Sequence, residues 1–280
     1  MKKQIISLLI IIFSLISFHT HASDLNWKPA QDGDKIILIR HAKAPGGGDP
    51  EGFKIEDCKT QRNLDMMGIN QSKKIGKLVA SLQNWTSTRL NQDSLIWIVP
   101  GAGSVAFHQD NPYQDWHTPG KVITAWIPLE NTSKNGATLE YLVGSHKNGT
   151  TKRLNKFFTN KGYRFISKKL LTNSKNFNRH YVVAKKGSVV FHHGDTWHGS
   201  GFNKTRQDRI TLSIHFMNGN SKFHNRIKNP HFNHYKMFNS LKMDETFFPI
   251  TWHKSKKTFF KDKYLKRNRN YVVRIQNSTY

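Results

Sequence analysis

Arg209-Ile210-Thr211-Leu212-Ser213-Ile214-His215-Phe216 alternates polar and apolar residues one for one. A period of two is the mark of a strand, with Ile210, Leu212, Ile214 and Phe216 on one face and Arg209, Thr211, Ser213 and His215 on the other. An arginine on the polar face of a half-buried strand needs an anionic partner, and a guanidinium fork can hold a carboxylate through two parallel bonds. Outward from this stretch, residues 95–99, 122–127, 181–184 and 188–192 form further short β-rich runs split by turn residues. Such spacing predicts a sandwich or jelly roll over residues 93–280.

Two other stretches add chemistry to that scaffold. His108-Gln109-Asp110 places an imidazole and a carboxylate at i and i+2, on one face if the segment is a strand, while Gln109 points away. Phe191-His192-His193-Gly194-Asp195-Thr196-Trp197-His198-Gly199-Ser200-Gly201 offers a second imidazole. Two histidines and one carboxylate make the facial triad of non-heme Fe(II) oxygenases, which leaves positions open for a chelating cosubstrate and O2. A catalytic zinc site leaves a single open position.

Taken together, these residues resemble the phytanoyl-CoA dioxygenase family. The resemblance implies a mainly β, cupin-like jelly roll, the double-stranded β-helix. It implies His108, Asp110 and His198 as catalytic iron ligands. It assigns Arg209, with Ser200, to the distal carboxylate of 2-oxoglutarate, and Trp126 of Ala125-Trp126-Ile127-Pro128-Leu129 to the cosubstrate pocket. Asn135-Gly136-Ala137, Gly144-Ser145-His146-Lys147 and Phe247-Phe248-Pro249-Ile250 fit the same pattern. The implied activity is Fe(II)- and 2-oxoglutarate-dependent hydroxylation of a small organic substrate, with O2 as co-reactant. Asp110 favours hydroxylation, since related halogenases lack that carboxylate. His192 and His193 read as packing or supporting residues beside the ligand.

The N-terminal part has a different character. Residues 1–22 read as a signal peptide: Lys2 and Lys3, an apolar core too short to span a bilayer comfortably, then Thr20-His21-Ala22. A real signal implies export to the periplasm; a fusion artefact at this end implies a cytoplasmic protein. Residues 23–92 read as a short α/β fragment, a strand at 35–39, a loop, and a helix over 63–82. Ile36-Ile37-Leu38-Ile39-Arg40-His41-Ala42 with Arg62-Asn63-Leu64 resembles the start of the histidine phosphatase superfamily. That resemblance implies His41 as a phosphorylated nucleophile and Arg40 as a phosphate clamp. The later residues that family requires have no counterpart here, so both are read as vestigial and a phosphatase stands as an alternative function. An inactive fusion or truncated dioxygenase is the other. The polar stretch 85–93 is the expected boundary between the two parts.

Composition limits the rest. Hydrophobic residues make up 36% and aromatic residues 12%, enough for a packed core, and a lone cysteine excludes an internal disulfide and a thiolate-rich zinc site. The net charge of +26 allows an anionic substrate, but the lysines are scattered and no nucleic-acid motif accompanies them, so nucleic acid is not an expected partner.

Overall fold

The computed structural model describes residues 51–52, 66–154, 162–164, 170, 177–227, 229–245 and 247–255. The signal-like residues 1–22 lie outside them, as do Arg40 and His41. Among the described residues no helix is long and apolar enough to cross a membrane.

Helix α1 spans Met66–Leu82. The strands that follow are β1 (Ser87–Ile98), β2 (Val105–His108), β3 (His117–Thr118), β4 (Val122–Pro128), β5 (Leu139–Leu142), β6 (Arg179–Tyr181), β7 (Val190–His193), β8 (His198–Ser200), β9 (Arg209–Asn218), β10 (Lys222–Phe223) and β11 (Ile250–His253). They form a large sheet in the order β11-β1-β9-β4-β7, a smaller one in the order β2-β8-β5-β6, and the pair β10-β3. The pairings are antiparallel, and the chain crosses repeatedly from one sheet to the other. This is the expected jelly roll.

The alternation of β9 separates two environments. Leu212, Ile214 and Phe216 join Ile123, Ala125 and Ile127 of β4 against Val79, Ile75 and Leu82 of α1. The opposite face carries Arg209, Thr211, Ser213 and His215 into the interior between the sheets. A half-buried strand usually hides its apolar side. Here Arg209, Thr211 and Ser213 are buried while Ile210, Leu212 and Ile214 are only partly so. The helix covers the apolar face incompletely, and the polar face lies inside the sandwich. A second interior cluster joins Trp126, Leu139, Tyr141, Val182, Ala184 and Val190 across the gap between sheets.

Most of the expected boundary at residues 85–93 lies in β1, which begins at Ser87 and continues past it to Ile98. Its first half is polar yet buried. Thr88 Oγ1 donates to Gly76 O of α1 at 3.1 Å, and Arg89 donates to Gly219 O and Phe248 O. These bonds satisfy polar groups that would otherwise be costly to bury, so polarity here marks an internal hydrogen-bonded strand rather than a linker. Helix α1 packs against β1 and β11 and is part of this core.

His117, in β3 beside β10, is buried against Trp116, with its Nε2 3.3 Å from Asn91 Nδ2. Burial pulls its pKa down to about 4. A histidine with a folded pKa below its unfolded value withholds a proton that the unfolded chain accepts, so stability falls as pH drops from about 6.5 to about 4. The expected loss from His117 is about 3 kcal/mol over that window. Urea unfolding at pH 7 and pH 4.5 should show this slope, reduced in His117→Gln; an equal slope in the variant would refute it.

Candidate active site

Strand β2 ends at His108, and β8 begins at His198; the two residues face each other in the antiparallel ladder. Their rings lie 4.2 Å apart, centroid to centroid. The strand reading of His108-Gln109-Asp110 holds only for its first residue. Asp110 has helical dihedrals (φ −76°, ψ −41°) at the start of the 3-10 turn Asn111–Tyr113. Its amide donates to Gly194 O at 2.7 Å, which pins this turn to the loop leading into β8. The turn still brings the carboxylate to the imidazoles: Asp110 Oδ1 is 3.5 Å from His108 Nε2 and 3.4 Å from His198 Nε2. One ligand atom from each of the three residues lies within 4.8 Å of the others, and all three side chains are buried.

The ring orientations follow from local bonds. His108 Nδ1 is 2.8 Å from Ala106 O, and His198 Nδ1 is 2.9 Å from Thr196 O, the same i to i−2 contact on both strands. A carbonyl can only accept, so each Nδ1 carries a hydrogen and each Nε2 is the atom turned toward the shared point. That arrangement is the usual support for a metal-ligating histidine. Burial and the nearby His108 pull His198 well below its ordinary pKa. Burial alone would raise the Asp110 carboxyl, but His198, His108, His192 and His215 around it outweigh burial and hold it well below the ordinary carboxylate range. Two imidazoles and one carboxylate fit a ferrous ion with open coordination positions.

Two contacts shape the approach to this point. Gln109 does point away, as expected, but it is buried: its amide bonds Gly149 O, Asp195 O and Thr151 and so ties three loops together. Gly199, between His198 and Ser200, sits against β2 so closely that a Cβ there would stand 2.9 Å from Val105 O and 3.0 Å from Phe107 N. Only glycine lets β8 approach β2 this far.

The triad opens into a cavity of about 730 Å³, a size suited to a small organic ligand. Arg209, Ser200, Trp126, Ser213 and His215 line the same cavity, with Leu95, Ile96 and Trp97 of β1 toward its rim. Arg209 is buried, donates from Nη1 to Thr211 Oγ1 at 2.6 Å, and reaches Ser200 Oγ at 3.4 Å from Nη2. Among the described residues its Nε has no hydrogen-bond partner and no carboxylate pairs with it. Burial pulls its pKa down to about 10. A cation held dry without an anion is a docking point for one.

The structure thus brings together all six residues assigned to the iron and cosubstrate sites. His192, read from the sequence as packing or support, has its Nε2 3.2 Å from Asp110 Oδ2; the structure adds Thr124, whose Oγ1 donates to Asp110 Oδ2 at 2.6 Å, His215 near the same oxygen, and Tyr141, which bonds His192. His215 could have been found from its place on the polar face of β9. Thr124 and Tyr141 carry no local signal, because only strand pairing delivers them. His193 turns outward, its Nδ1 accepting from Asp195 N and its ring beside His146.

The family described as phytanoyl-CoA dioxygenase (PhyH) matches residues 28–211, more than half of the chain and all the residues just named except Ser213 and His215. The match begins ahead of residues 35–82 and so runs through the stretch that resembles a phosphatase. The human peroxisomal phytanoyl-CoA dioxygenase is 33% identical over 109 residues, covering 39% of this chain and 32% of that protein. The Danio rerio phytanoyl-CoA dioxygenase domain-containing protein 1 is 30% identical over 130 residues, covering 45% and 44%. The matched region is thus about a third to under half the length of these relatives. Among solved structures, the non-heme α-ketoglutarate-dependent carbocyclase SnoK from nogalamycin biosynthesis superposes with a TM-score of 0.50 at 17% identity, covering 69% of this chain and 72% of that one. At that identity the likeness concerns the fold.

Proposed function

The chain belongs to the phytanoyl-CoA dioxygenase family, and from that premise we propose that it is an Fe(II)- and 2-oxoglutarate-dependent oxygenase that hydroxylates a small organic substrate. The observation that carries the proposal is the sharing of one cavity by a convergent His108-Asp110-His198 triad and a buried Arg209 with no anionic partner among the described residues. His108 and His198 would offer Nε2, and Asp110 would offer Oδ1. Arg209 and Ser200 would hold the distal carboxylate of 2-oxoglutarate, with Trp126 walling the same pocket.

With iron and 2-oxoglutarate bound, O2 supplies the oxidising power for hydroxylation while 2-oxoglutarate becomes succinate and CO2. The chain's share is positioning and exclusion of water. Nδ1 bonds fix both rings, the Arg209 fork sets the cosubstrate's direction, and the sheets keep the triad buried. Arg209 is the only Lys or Arg among the described lining residues. If it serves the cosubstrate, the reacting part of the substrate meets apolar and uncharged polar groups, and any anionic group of the substrate binds away from the triad. The convergence of His108, Asp110, His198 and Arg209 on one cavity supports the oxygenase reading over that of an inactive remnant.

The purified chain with Fe(II), 2-oxoglutarate and O2 should release succinate without added substrate, in a slow uncoupled reaction that a metal chelator stops. Succinate at background level with Fe(II) and 2-oxoglutarate both bound would remove the oxygenase reading and leave a binding protein.

A further inference from the structure

We infer that His192, oriented by Tyr141, is a positioning residue that turns the Asp110 carboxylate so that only Oδ1 faces the metal. The inference rests on the reading of Asp110 as a ligand. His192 Nδ1 lies 2.7 Å from the Tyr141 hydroxyl, and His192 Nε2 lies 3.2 Å from Asp110 Oδ2. Both side chains are buried, so neither contact is exchanged for water. The carboxylate accepts only, which requires the hydrogen on Nε2; Nδ1 then accepts from the tyrosine. The opposite tautomer would set a lone pair against a carboxylate oxygen. Tyr141 therefore selects the form of His192 that donates to Asp110.

The result is an asymmetric carboxylate. Oδ2 is occupied by two donors, Thr124 Oγ1 at 2.6 Å and His192 Nε2, while Oδ1 faces His108 and His198. His215 is not equivalent. Its Nε2 stands 3.6 Å from Oδ2, beyond hydrogen-bond reach, and its Nδ1 has no hydrogen-bond partner among the described residues to fix a tautomer. The relay also spans the sandwich. Thr124 and His192 are paired neighbours on the large sheet, whereas Tyr141 is paired with the ligand His198 on the small one. The orientation of the carboxylate is thereby tied to the spacing of the two sheets.

The test is anaerobic titration of the full chain with Co(II), followed by its visible absorption, alongside thermal unfolding of the metal-free protein. His192→Leu should weaken Co(II) binding about 10- to 100-fold, the scale for losing a residue that supports a ligand. Tyr141→Phe keeps the ring and should give a smaller loss, with a shifted Co(II) spectrum. His192→Gln can place an amide N–H near the lost Nε2 and should recover most of the affinity, which a purely structural role would not predict. The inference is overturned if both His192→Leu and Tyr141→Phe bind Co(II) like the parent, or if glutamine rescues no better than leucine. His108→Ala separates the two levels. If it abolishes binding while His192→Leu does not, only this inference fails; if it binds like the parent, the ligand assignment fails.

Discussion

Replacing Arg209 by alanine is expected to weaken 2-oxoglutarate binding by about 2–5 kcal/mol, the range for truncating one partner of a buried charge pair. That is roughly 30- to several-thousand-fold in dissociation constant. Iron binding should survive, because Arg209 is not among the convergent donors. Arg209→Lys should fall between, keeping the charge and losing the fork. The same variant should behave oppositely without cosubstrate. Burial lowers the Arg209 pKa to about 10, well under its ordinary value. A cation with a depressed folded pKa is a burden to the fold at every pH below that value, and the burden fades only as pH rises through it. Its size is about 3 kcal/mol, less whatever the bonds to Thr211 and Ser200 return. The alanine variant should therefore resist denaturant better than the parent when no cosubstrate is present. Adding 2-oxoglutarate with metal should stabilise the parent and not the variant. Denaturant midpoints of both proteins with and without cosubstrate test this, and equal stabilisation of the two would place the cosubstrate elsewhere.

Asp110→Ala should abolish iron binding at working concentrations. Loss of a residue that merely supports a ligand costs about 10–100-fold, so loss of the ligand should exceed about 100-fold. The metal-free protein should suffer as well. Four imidazole nitrogens stand around the carboxylate, at 3.5 Å for His108, 3.4 Å for His198, 3.2 Å for His192 and 3.6 Å for His215. They hold the carboxyl well below its ordinary range. A carboxylate with a depressed folded pKa contributes stability above its unfolded pKa and loses it as pH falls through the folded one. The parent should thus hold this contribution at pH 7, and Asp110→Ala should lack it. Isothermal titration with Fe(II) under anaerobic conditions checks the first effect, and iron affinity near the parent's would move the metal site away from Asp110. The two variants give complementary results: Arg209→Ala keeps iron and loses 2-oxoglutarate, whereas Asp110→Ala loses iron.

The residues proposed to carry chemistry were legible because each sits in a short window with its own logic. The β9 alternation predicts the strand and correctly divides its faces, and α1 and the large sheet use that division. Which face is interior was not legible, since an alternating strand ordinarily turns its apolar side inward, whereas here the polar side lines the cavity between the sheets. Asp110 reaches the triad by a turn rather than along a strand, so the pair His108 and Asp110 was found through a geometry the chain does not adopt. The stretch 85–93 reads as a linker because its residues are polar. Arg89 and Thr88 are instead internal, with partners more than a hundred residues away in β9–β11 and the loops between them. Long-range pairing explains the remaining gaps as well. Thr124 and Tyr141 lie on separate strands, and nothing within either announces the carboxylate that Thr124 bonds directly and Tyr141 reaches through His192.

The facing of His108 and His198 across β2 and β8 has a kinetic consequence. The contacts that aim these donors are made by the chain itself, through the ladder and the two Nδ1 bonds to carbonyls. Binding iron then orders little backbone. Capture becomes a matter of the ion shedding water as it enters a waiting nest, so association should be fast and first order in metal, with no lag for refolding. Amide hydrogens of β2 and β8 should exchange at nearly the same slow rate before and after loading, and departure of the ion should leave a chain ready to be charged again.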